Sequence, residues 1–305
     1  MPDTVRYLVS PAGPYSLERT LSRFTRYPES VDRFDSGIYR RLLFLRGRPL
    51  FLSVTQNPEH SRLVIEITGK YANAEEAKAL ASQVLDRVLG AATDVRPFYR
   101  QFRSDPLLGP LIRSHAGLRV AGRLTVWETL LQIVLSQQIH LKLAHAMLAD
   151  LARELGRSAR LDGTVYYTFP SPAAIAAERV SVLRRFRLSR AKAETLKRLA
   201  AGFESGELRD EVLRGLSDEE AFDRLTAHKG VGRWTAEFTL LRGLGRMDVF
   251  PAGDLGVIKY LAQSLLGRDS PALESEMREF AERWRPYRGL ALIYAYAELA
   301  RRSGK

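Results

Sequence analysis

One acidic residue stands where a fixed carboxylate could take part in chemistry. Asp254 follows residues 250–253, a short segment with proline and glycine, and precedes a stretch with helical spacing. A carboxylate held beside a carbon that gains positive charge stabilises the transition state and can orient an attacking water. Aspartate at a helix start is also a favoured N-cap, which is the simpler interpretation of this position. Asp254 is therefore a candidate for catalysis and for capping.

A glycine-rich turn upstream could hold an anion. Gly230, Val231 and Gly232 separate two stretches of helical pattern, and Arg233 opens the second stretch. Backbone amides exposed at a helix N-terminus, together with the positive end of the helix dipole, can hold one phosphate group. Glycine permits both the tight turn and the close approach of the backbone. Such a turn can equally be a plain helix end, so the motif alone leaves both interpretations open.

Aromatic and amide side chains form a third set of candidates. Aromatic faces stack on flat rings and attract cations, but any one of these residues considered alone is more often part of a core. An amphipathic stretch, residues 130–139, ends in two glutamines, which by themselves make the helix end polar. The candidates are Trp234, Trp284, Tyr294, Tyr296, Gln137 and Gln138.

The elements that position these residues fall into two parts. Residues 39–45 and 49–54 are β-prone runs separated by a turn at Gly47 and Arg48, and residues 63–68 alternate apolar with polar. Helical spacing is present at residues 16–24 and 74–89. The pattern predicts an α+β fold class, in which a small antiparallel sheet domain with helices spans residues 1–95.

The pattern of the second part of the chain predicts a series of consecutive helices. Residues 96–123, which contain several prolines and glycines, look like a connection, and residues 124–305 are predicted to be all α-helical, with at most a strand at 165–169. Two helix starts fit the capping-box pattern, in which a hydroxyl and a carboxylate satisfy free amides. These pairs are Thr125 with Glu128 and Ser217 with Glu220.

Composition narrows the classes of partner and chemistry. The chain has 305 residues with 47 basic and 35 acidic side chains, so its net charge of 47 − 35 = +12 favours a polyanion such as nucleic acid. It has no cysteine, which excludes disulfides, cysteine nucleophiles and cysteine-ligated metals. The five histidines show no metal-ligand spacing; they stand at positions 60, 115, 140, 145 and 228.

The chain shows no pattern typical of a membrane or secreted protein. No apolar run approaches the ~20 residues that a membrane span needs, and its first residues lack the pattern of a signal peptide. We therefore expect a cytoplasmic protein.

Residues 225–236 and 249–259 together resemble the helix-hairpin-helix DNA glycosylase superfamily. Residues 281–292 are similar to the C-terminal helix region of its AlkA-type members, the 3-methyladenine DNA glycosylases of type II. The resemblance covers nearly the whole chain, strongly for residues 120–300 and weakly for residues 1–95. It implies a helix-hairpin-helix at about residues 217–244 and a monofunctional enzyme that extrudes alkylated bases, such as 3-methyladenine and 7-methylguanine, and hydrolyses their glycosidic bonds.

The resemblance also assigns roles to residues of this chain. It implies that Asp254 is catalytic, that the turn of Gly230, Val231, Gly232 and Arg233 holds a phosphate, and that Gln138 fills the gap left by the extruded base. Trp234 and Tyr296 are expected in the base pocket, and Trp284 in the core. AlkA-type relatives can carry leucine at the position of Gln138 and tryptophan at that of Tyr296.

Further expectations concern the product, cofactors and partners. Lyases of this superfamily carry a lysine where this chain has Trp234, so we expect an abasic site as product and no strand cleavage. No cofactor is required by this chemistry, and the resemblance implies a structural Na⁺ or K⁺ site at the carbonyls of Thr226, His228 and Val231. The expected partner is duplex DNA with alkylated bases, bound by a monomer at the nucleoid if the source is bacterial.

Two alternatives remain open. A non-catalytic helix-hairpin-helix module that binds damaged DNA would have the same turn but no need of Asp254 beside its phosphate contacts. A glycosylase for oxidised or deaminated bases would need polar contacts to a neutral base, and the sequence does not locate them.

Overall fold

The computed structural model describes residues 3–25, 31–57, 61–71, 73–267 and 269–302. His60 lies outside these ranges. Within the described ranges, no helix is long and apolar enough to cross a membrane. The chain folds as an antiparallel sheet domain followed by a larger helical body, which confirms the predicted α+β class.

Five antiparallel strands form the N-terminal sheet in the order β1-β5-β4-β3-β2. Side chains alternate between a buried and a more open face along β4 and β5, because successive residues of a strand point to opposite faces. The buried face packs with helices α1 and α2 in one core. The strands are β1 (Asp3–Val9), β2 (Arg33–Asp35), β3 (Ile38–Leu45), β4 (Arg48–Gln56) and β5 (Leu63–Gly69).

The turn between β3 and β4 lies one residue earlier than the sequence predicts. Leu45 pairs with Arg48, so Arg46 and Gly47 form the turn, with φ angles of 48° and 81°. Two positive φ angles match the twist of the flanking strands, which is why such turns are common in tight hairpins.

The chain contains fifteen α-helices in the described residues, most of them in its second part. They are α1 (Leu17–Thr25), α2 (Ala74–Arg87), α3 (Arg96–Phe102), α4 (Leu108–Ser114), α5 (Val126–Ser136), α6 (Leu141–Leu155), α7 (Pro172–Ala177), α8 (Val180–Arg184), α9 (Arg190–Glu204), α10 (Asp210–Gly215), α11 (Asp218–Thr226), α12 (Arg233–Gly243), α13 (Ala262–Leu266), α14 (Glu274–Ala281) and α15 (Arg288–Arg302). A π-helix (Gly256–Leu261) precedes α13, and a 3₁₀ turn (Glu282–Trp284) follows α14.

Two features of the second part differ from the sequence-based expectation. A short hairpin, β6 (Ser158–Leu161) with β7 (Thr164–Tyr167), interrupts the helices; β7 overlaps the strand expected at residues 165–169, whereas β6 was not expected. The predicted connection, residues 96–123, holds α3 and α4, whose apolar side chains pack with α14 and α15. Its prolines mislead, because proline at the first turn of a helix is well tolerated, as it is in α3.

The helical body contains two cores, and α12 contributes to both. Leu240 packs in the core around α5, α6 and α9, whereas Leu241 packs in the core around α3, α14 and α15. Ser217 and Glu220 form the predicted capping box at the start of α11. The N-terminal end of α12 packs in the first core, through Ala236 and the preceding Val231, and Leu241 near its C-terminal end packs in the second.

A buried network of ion pairs joins the sheet domain to the helical body, and we call it the domain junction. Asp32 from the sheet domain pairs with Arg41 (2.7 Å) and with Arg123, and Arg41 also pairs with Glu128 of α5. Arg123 further donates to Gln132 (2.7 Å). The two arginines and Asp32 are at most 2% exposed.

The domain junction explains why the predicted capping box at Thr125 is incomplete. Thr125 Oγ1 accepts from the amide of Glu128 (3.1 Å), as in such a box. The Glu128 carboxylate, however, accepts from Arg41 and from the amide of Leu124 (3.1 Å) instead of that of Thr125. The buried charge of Arg41 draws the carboxylate away, because a cation in the interior needs an anionic partner.

Candidate active site

Asp254 lies at the start of the π-helix and caps it. Its carboxylate oxygen Oδ1 accepts from the amide of Gly256 (2.9 Å), and its carbonyl accepts from the amides of Val257 and Ile258 (2.9 Å each). The side chain remains part-exposed. Capping and catalysis are therefore compatible here, because the cap fixes a carboxylate that solvent can still reach.

Two aromatic side chains donate to the same carboxylate. The indole Nε1 of Trp234 donates to Oδ2 of Asp254 (2.8 Å), and the hydroxyl of Tyr296 donates to Oδ1. Burial and the negative charge of Asp254 raise the pKa of Tyr296 well above its ordinary value, so its hydroxyl keeps its proton. The three residues that the sequence nominates for catalysis and for the pocket thus meet at one point, and the donors orient the carboxylate without neutralising it.

Phe238 packs against Trp234, and we call the rings of Trp234, Phe238 and Tyr296 the aromatic wall. The candidates from the sequence do not include Phe238. It lies one turn after Trp234 on α12, with the ring centroids 5.2 Å apart and the planes at 63°, an edge-to-face contact. The i, i+4 spacing from Trp234 places both side chains on one face of the helix. That spacing is the signal by which the sequence could have nominated it.

The same face of α12 carries a cation two turns after Trp234. Between residues 234 and 243 only Trp234 and Arg242 are part-exposed, and all the others are buried. Arg242 Nη1 donates to the carbonyl of Ala121 (3.0 Å). Burial lowers the pKa of Arg242 to about 10, and the nearby negative charge of Asp254 opposes this effect. Trp234, Asp254 and Tyr296 are also part-exposed, and we call the site where these three side chains meet the recess.

The turn between α11 and α12 needs glycine for a steric reason. Gly230 has φ of 98°, and a Cβ there would lie 2.0 Å from Thr195 Oγ1. Gly232 occupies the N-cap of α12, and Arg233 follows with its side chain 57% exposed. The turn therefore presents an open helix N-terminus to solvent, as phosphate binding requires.

Neighbouring helices support this turn from behind. The carbonyl of Lys229 accepts from Arg198 Nε (3.2 Å) of α9. Gln137, at the end of α5, donates from Nε2 to the carbonyl of Gly230 (3.1 Å) and to Thr235 Oγ1 (3.0 Å). Gln138 follows with φ of 55° and an exposed side chain. The turn and Gln138 are thus held together through Gln137.

The three carbonyls nominated for a monovalent cation belong to the same turn. Helix α11 ends at Thr226, so carbonyls of its last turn are not all used by helical amides. The carbonyl of His228 accepts from the amide of Val231 (2.9 Å), which leaves its second lone pair. Backbone oxygens suit a hard cation. In the ranges that the structure describes, no group of three His, Asp or Glu side chains could hold a metal ion.

Two other nominated aromatics lie in the core and not in the recess. Trp284 is 0% exposed and packs with Phe280 and Phe250. Tyr294 is 0% exposed, and its hydroxyl is hydrogen-bonded to Tyr99 and to the carbonyl of Leu118. Tyr294 therefore supports the packing of α15 on α3.

Comparisons with known proteins agree with this architecture. The profile described as HhH-GPD superfamily base excision DNA repair protein matches residues 131–286, and that of the AlkA N-terminal domain matches residues 12–125. A DNA-3-methyladenine glycosylase of Bacillus subtilis is 31% identical over 206 residues, which cover 68% of each chain.

Two solved structures are similar in fold and sequence. A 3-methyladenine DNA-glycosylase from Archaeoglobus fulgidus superimposes with a TM-score of 0.82 at 27% identity, covering 96% of this chain and 98% of that one. The 3-methyladenine DNA glycosylase of Schizosaccharomyces pombe in complex with abasic DNA has a TM-score of 0.54 at 27% identity, covering 65% of this chain and 93% of that one.

Proposed function

The chain belongs to the HhH-GPD superfamily of base excision DNA repair proteins, and on that premise we propose that it is a monofunctional DNA glycosylase that releases alkylated bases. One observation carries the proposal. Asp254 is held in a solvent-reached recess by the uncharged donors Trp234, Tyr296 and the Gly256 amide. Three uncharged donors give this carboxylate a fixed direction.

The reaction depends on this carboxylate. When the bond between the sugar carbon and the base breaks, its electron pair leaves with the base, and positive charge develops on the sugar. Asp254 stabilises this charge and orients the water that attacks the sugar carbon. Because its donors are already in place, little reorganisation is needed at the moment of reaction. The products are a free base and an abasic site.

The aromatic wall suits bases that carry a positive charge. Alkylation of a purine ring nitrogen makes the base cationic, and the faces of Trp234 and Tyr296 attract cations and stack on flat rings. A cationic base is also a good leaving group, so no strong general acid is required. These two features favour alkylated purines such as 3-methyladenine and 7-methylguanine.

The turn and Gln138 provide the contacts with DNA in this proposal. The open N-terminus of α12, at Gly230 to Arg233, holds a backbone phosphate, and Gln138 enters the duplex where the extruded nucleotide stood. The net charge of +12 favours the same partner. A Na⁺ or K⁺ ligated by the carbonyls of Thr226, His228 and Val231 would add positive charge beside the phosphate. The protein acts as a monomer in the cytoplasm.

The absence of lyase activity is part of the proposal. Trp234 occupies the position at which lyases of the superfamily carry their nucleophilic lysine, and its indole is committed to Asp254. No Schiff base with the sugar is then expected. Treatment of the reaction with borohydride should trap no covalent protein–DNA complex. A trapped complex would favour the hypothesis that the protein is a lyase for oxidised bases.

The central test compares the wild type with Asp254→Asn on methylated duplex DNA, measuring free bases and DNA binding. We expect the wild type to release methylpurines and Asp254→Asn to lose about 10²–10³-fold or more in rate while DNA binding persists. Asparagine also caps helices, so stability should change little. The matched control is Asp162→Asn, at the exposed turn between β6 and β7, which should keep full activity.

The same experiment separates the alternatives. Tight binding without release of any alkylated base would favour a non-catalytic module that recognises damaged DNA. Release by Asp254→Asn at the wild-type rate would remove Asp254 from the chemistry.

A further inference from the structure

Glu237 places a negative charge in the buried part of α12, one turn after Arg233. Its side chain is only 5% exposed. Residues 235–241 are all buried, and Glu237 is the only charged residue among them. A charge in the interior is costly unless it is paired with a cation. The role of Glu237 should therefore follow from the groups with which it pairs.

One oxygen of Glu237 is shared by two arginines from different parts of the site. Its Oε1 lies 3.6 Å from Nη1 of Arg233 and 3.0 Å from Nη2 of Arg278 on α14. Arg233 belongs to the turn that holds a DNA phosphate in the proposed function. The carboxylate of Glu237 thus joins a cation at this turn to a cation on another helix.

Arg278 extends this connection to the segment that precedes Asp254. Its Nη2 also pairs with Glu274 (2.7 Å), and its Nη1 donates to the carbonyl of Phe250 (3.5 Å). The Glu274 carboxylate lies against Gly253, because a Cβ at Gly253 would lie 2.7 Å from Oε2 of Glu274. Arg278 and Glu274 therefore contact the two ends of the segment that leads into the catalytic carboxylate.

We propose that Glu237 is a positioning residue, which fixes the segment before Asp254 through Arg278 and also limits the attraction of Arg233 for phosphate. This inference rests on the proposed function of the same site. In the free protein, the two arginines compete for Oε1 of Glu237. When a phosphate pairs with Arg233, the charge of Glu237 is left to Arg278, and the segment before Asp254 is held more firmly. DNA binding at the turn is thereby coupled to the position of the catalytic group.

Loss of the Glu237 charge should have opposite effects on DNA binding and on base release. Arg233 would keep its full charge for the phosphate, so binding should become tighter. Arg278 would lose one of its two carboxylate partners, so Asp254 would be less well positioned and release should slow, because reaction rates depend steeply on the placement of catalytic groups. A residue that is needed only for stability would not separate the two quantities in this way.

The experiment compares the wild type with Glu237→Gln and with the control Glu204→Gln, which makes the same change at the exposed end of α9. Single-turnover release is measured with saturating protein on a duplex that carries one 7-methylguanine, and binding is measured on the undamaged duplex. For Glu237→Gln we expect release to slow by about 3- to 30-fold, the range for residues that act through a connected network. Its affinity for DNA at low salt should rise by about two- to fivefold. Glu204→Gln should change neither quantity.

Two double variants test the route of each effect. In a protein that already carries Arg278→Gln, the change Glu237→Gln should slow release little further, because both substitutions break the same contact. In a protein that carries Arg233→Gln, Glu237→Gln should no longer tighten DNA binding. Arg278→Gln alone, at a side chain that is 33% exposed, should slow release without tightening DNA binding. Fully additive effects in both backgrounds would contradict the proposed connection.

Other outcomes would overturn the inference in distinguishable ways. A fall in release and in DNA affinity together, with a lowered melting temperature, would make Glu237 a purely structural residue. If the wild type and Glu237→Gln released 7-methylguanine at the same rate, the inference would fail and the proposed function would stand. If the wild type released no alkylated base, both would fail.

Discussion

Two regions of this molecule hold a carboxylate among hydrogen-bond donors, and the donors are charged in one region and uncharged in the other. At the domain junction, Asp32 is completely buried and its oxygens face Arg41 and Arg123. In the recess, Asp254 is part-exposed and accepts from Trp234, Tyr296 and a backbone amide. The junction neutralises its carboxylate with cations, whereas the recess orients its carboxylate with uncharged donors.

The difference separates a structural carboxylate from a chemical one. A carboxylate that is already paired with arginine stabilises a transition-state cation only weakly, because its charge is neutralised. It joins the two domains as long as both partners remain. A charge held by neutral hydrogen bonds is available to such a cation and is fixed in direction. The charge of the groups that donate to a carboxylate therefore indicates whether that carboxylate is structural or takes part in chemistry.

The largest expected effect is on stability, through Asp32→Asn. Removal of this charge leaves Arg41 and Arg123 buried without their shared anion, which should cost about 3–5 kcal/mol. Denaturant unfolding monitored at equilibrium measures the loss. Asp35→Asn, on the exposed end of β2, is the matched control and should change stability by less than about 0.5 kcal/mol.

The Asp32→Asn variant should differ from Asp254→Asn in that it loses stability but keeps its activity. Asp32→Asn protein that is still folded should release methylpurines at nearly the wild-type rate. A specific loss of activity in the folded variant would mean that the junction also takes part in the chemistry, and the contrast between the two carboxylates would break down.

A smaller effect is expected from two tyrosines that are two positions apart on α15. Tyr296→Phe removes one donor from Asp254 and should slow base release by about 10- to 100-fold, the value of a hydrogen bond to a charged group. Tyr294→Phe removes hydrogen bonds to Tyr99 and to the carbonyl of Leu118 and should instead cost about 1–2 kcal/mol of stability, with activity unchanged. Single-turnover assays and unfolding of both variants provide the measurement, and equal effects on activity would contradict the distinction.

The smallest effect is the response of stability to acid. Burial alone would raise the pKa of Asp32, but the charges of Arg41 and Arg123 outweigh it and hold that pKa below its ordinary value. A carboxyl whose pKa is lowered by folding stabilises the protein above its unfolded pKa of about 4, and this contribution is lost as the pH falls through the folded value.

The measurement is the free energy of unfolding between pH 7 and pH 3. Burial raises the pKa of Glu128, so its protonation works in the opposite direction and favours the folded state in acid. Asp32→Asn should therefore flatten the acid loss of stability, and Glu128→Gln should make it steeper. An identical acid profile in wild type and Asp32→Asn would contradict the assignment to Asp32.

Some of this architecture is readable from the sequence because it depends on local patterns. β-prone runs predict β3 and β4, alternation of apolar with polar residues predicts β5, and helical spacing predicts α1 and α2, all nearly at their observed bounds. The turn at Gly230 and the position of Asp254 are also visible, because each needs a particular residue type at a particular helix end. The fold class and the family follow from these motifs.

Other features depend on contacts between distant residues and leave no local signal. Strand β1 pairs with β5 across a long separation, and the sequence analysis does not predict it. The apolar residues of α3 and α4 are spaced between prolines, so the pattern indicates a connection until their packing partners on α15 are known.

The domain junction also bears on how such a chain can change over generations. Arg41 comes from the sheet domain and Glu128 from the helical body, and Arg41 also has Asp32 as a partner in its own domain. A recombination event that brought in a sheet domain without this arginine would leave Glu128 buried without its cation, which is unfavourable. We therefore expect a loss of Arg41 to be accompanied by a change at Glu128.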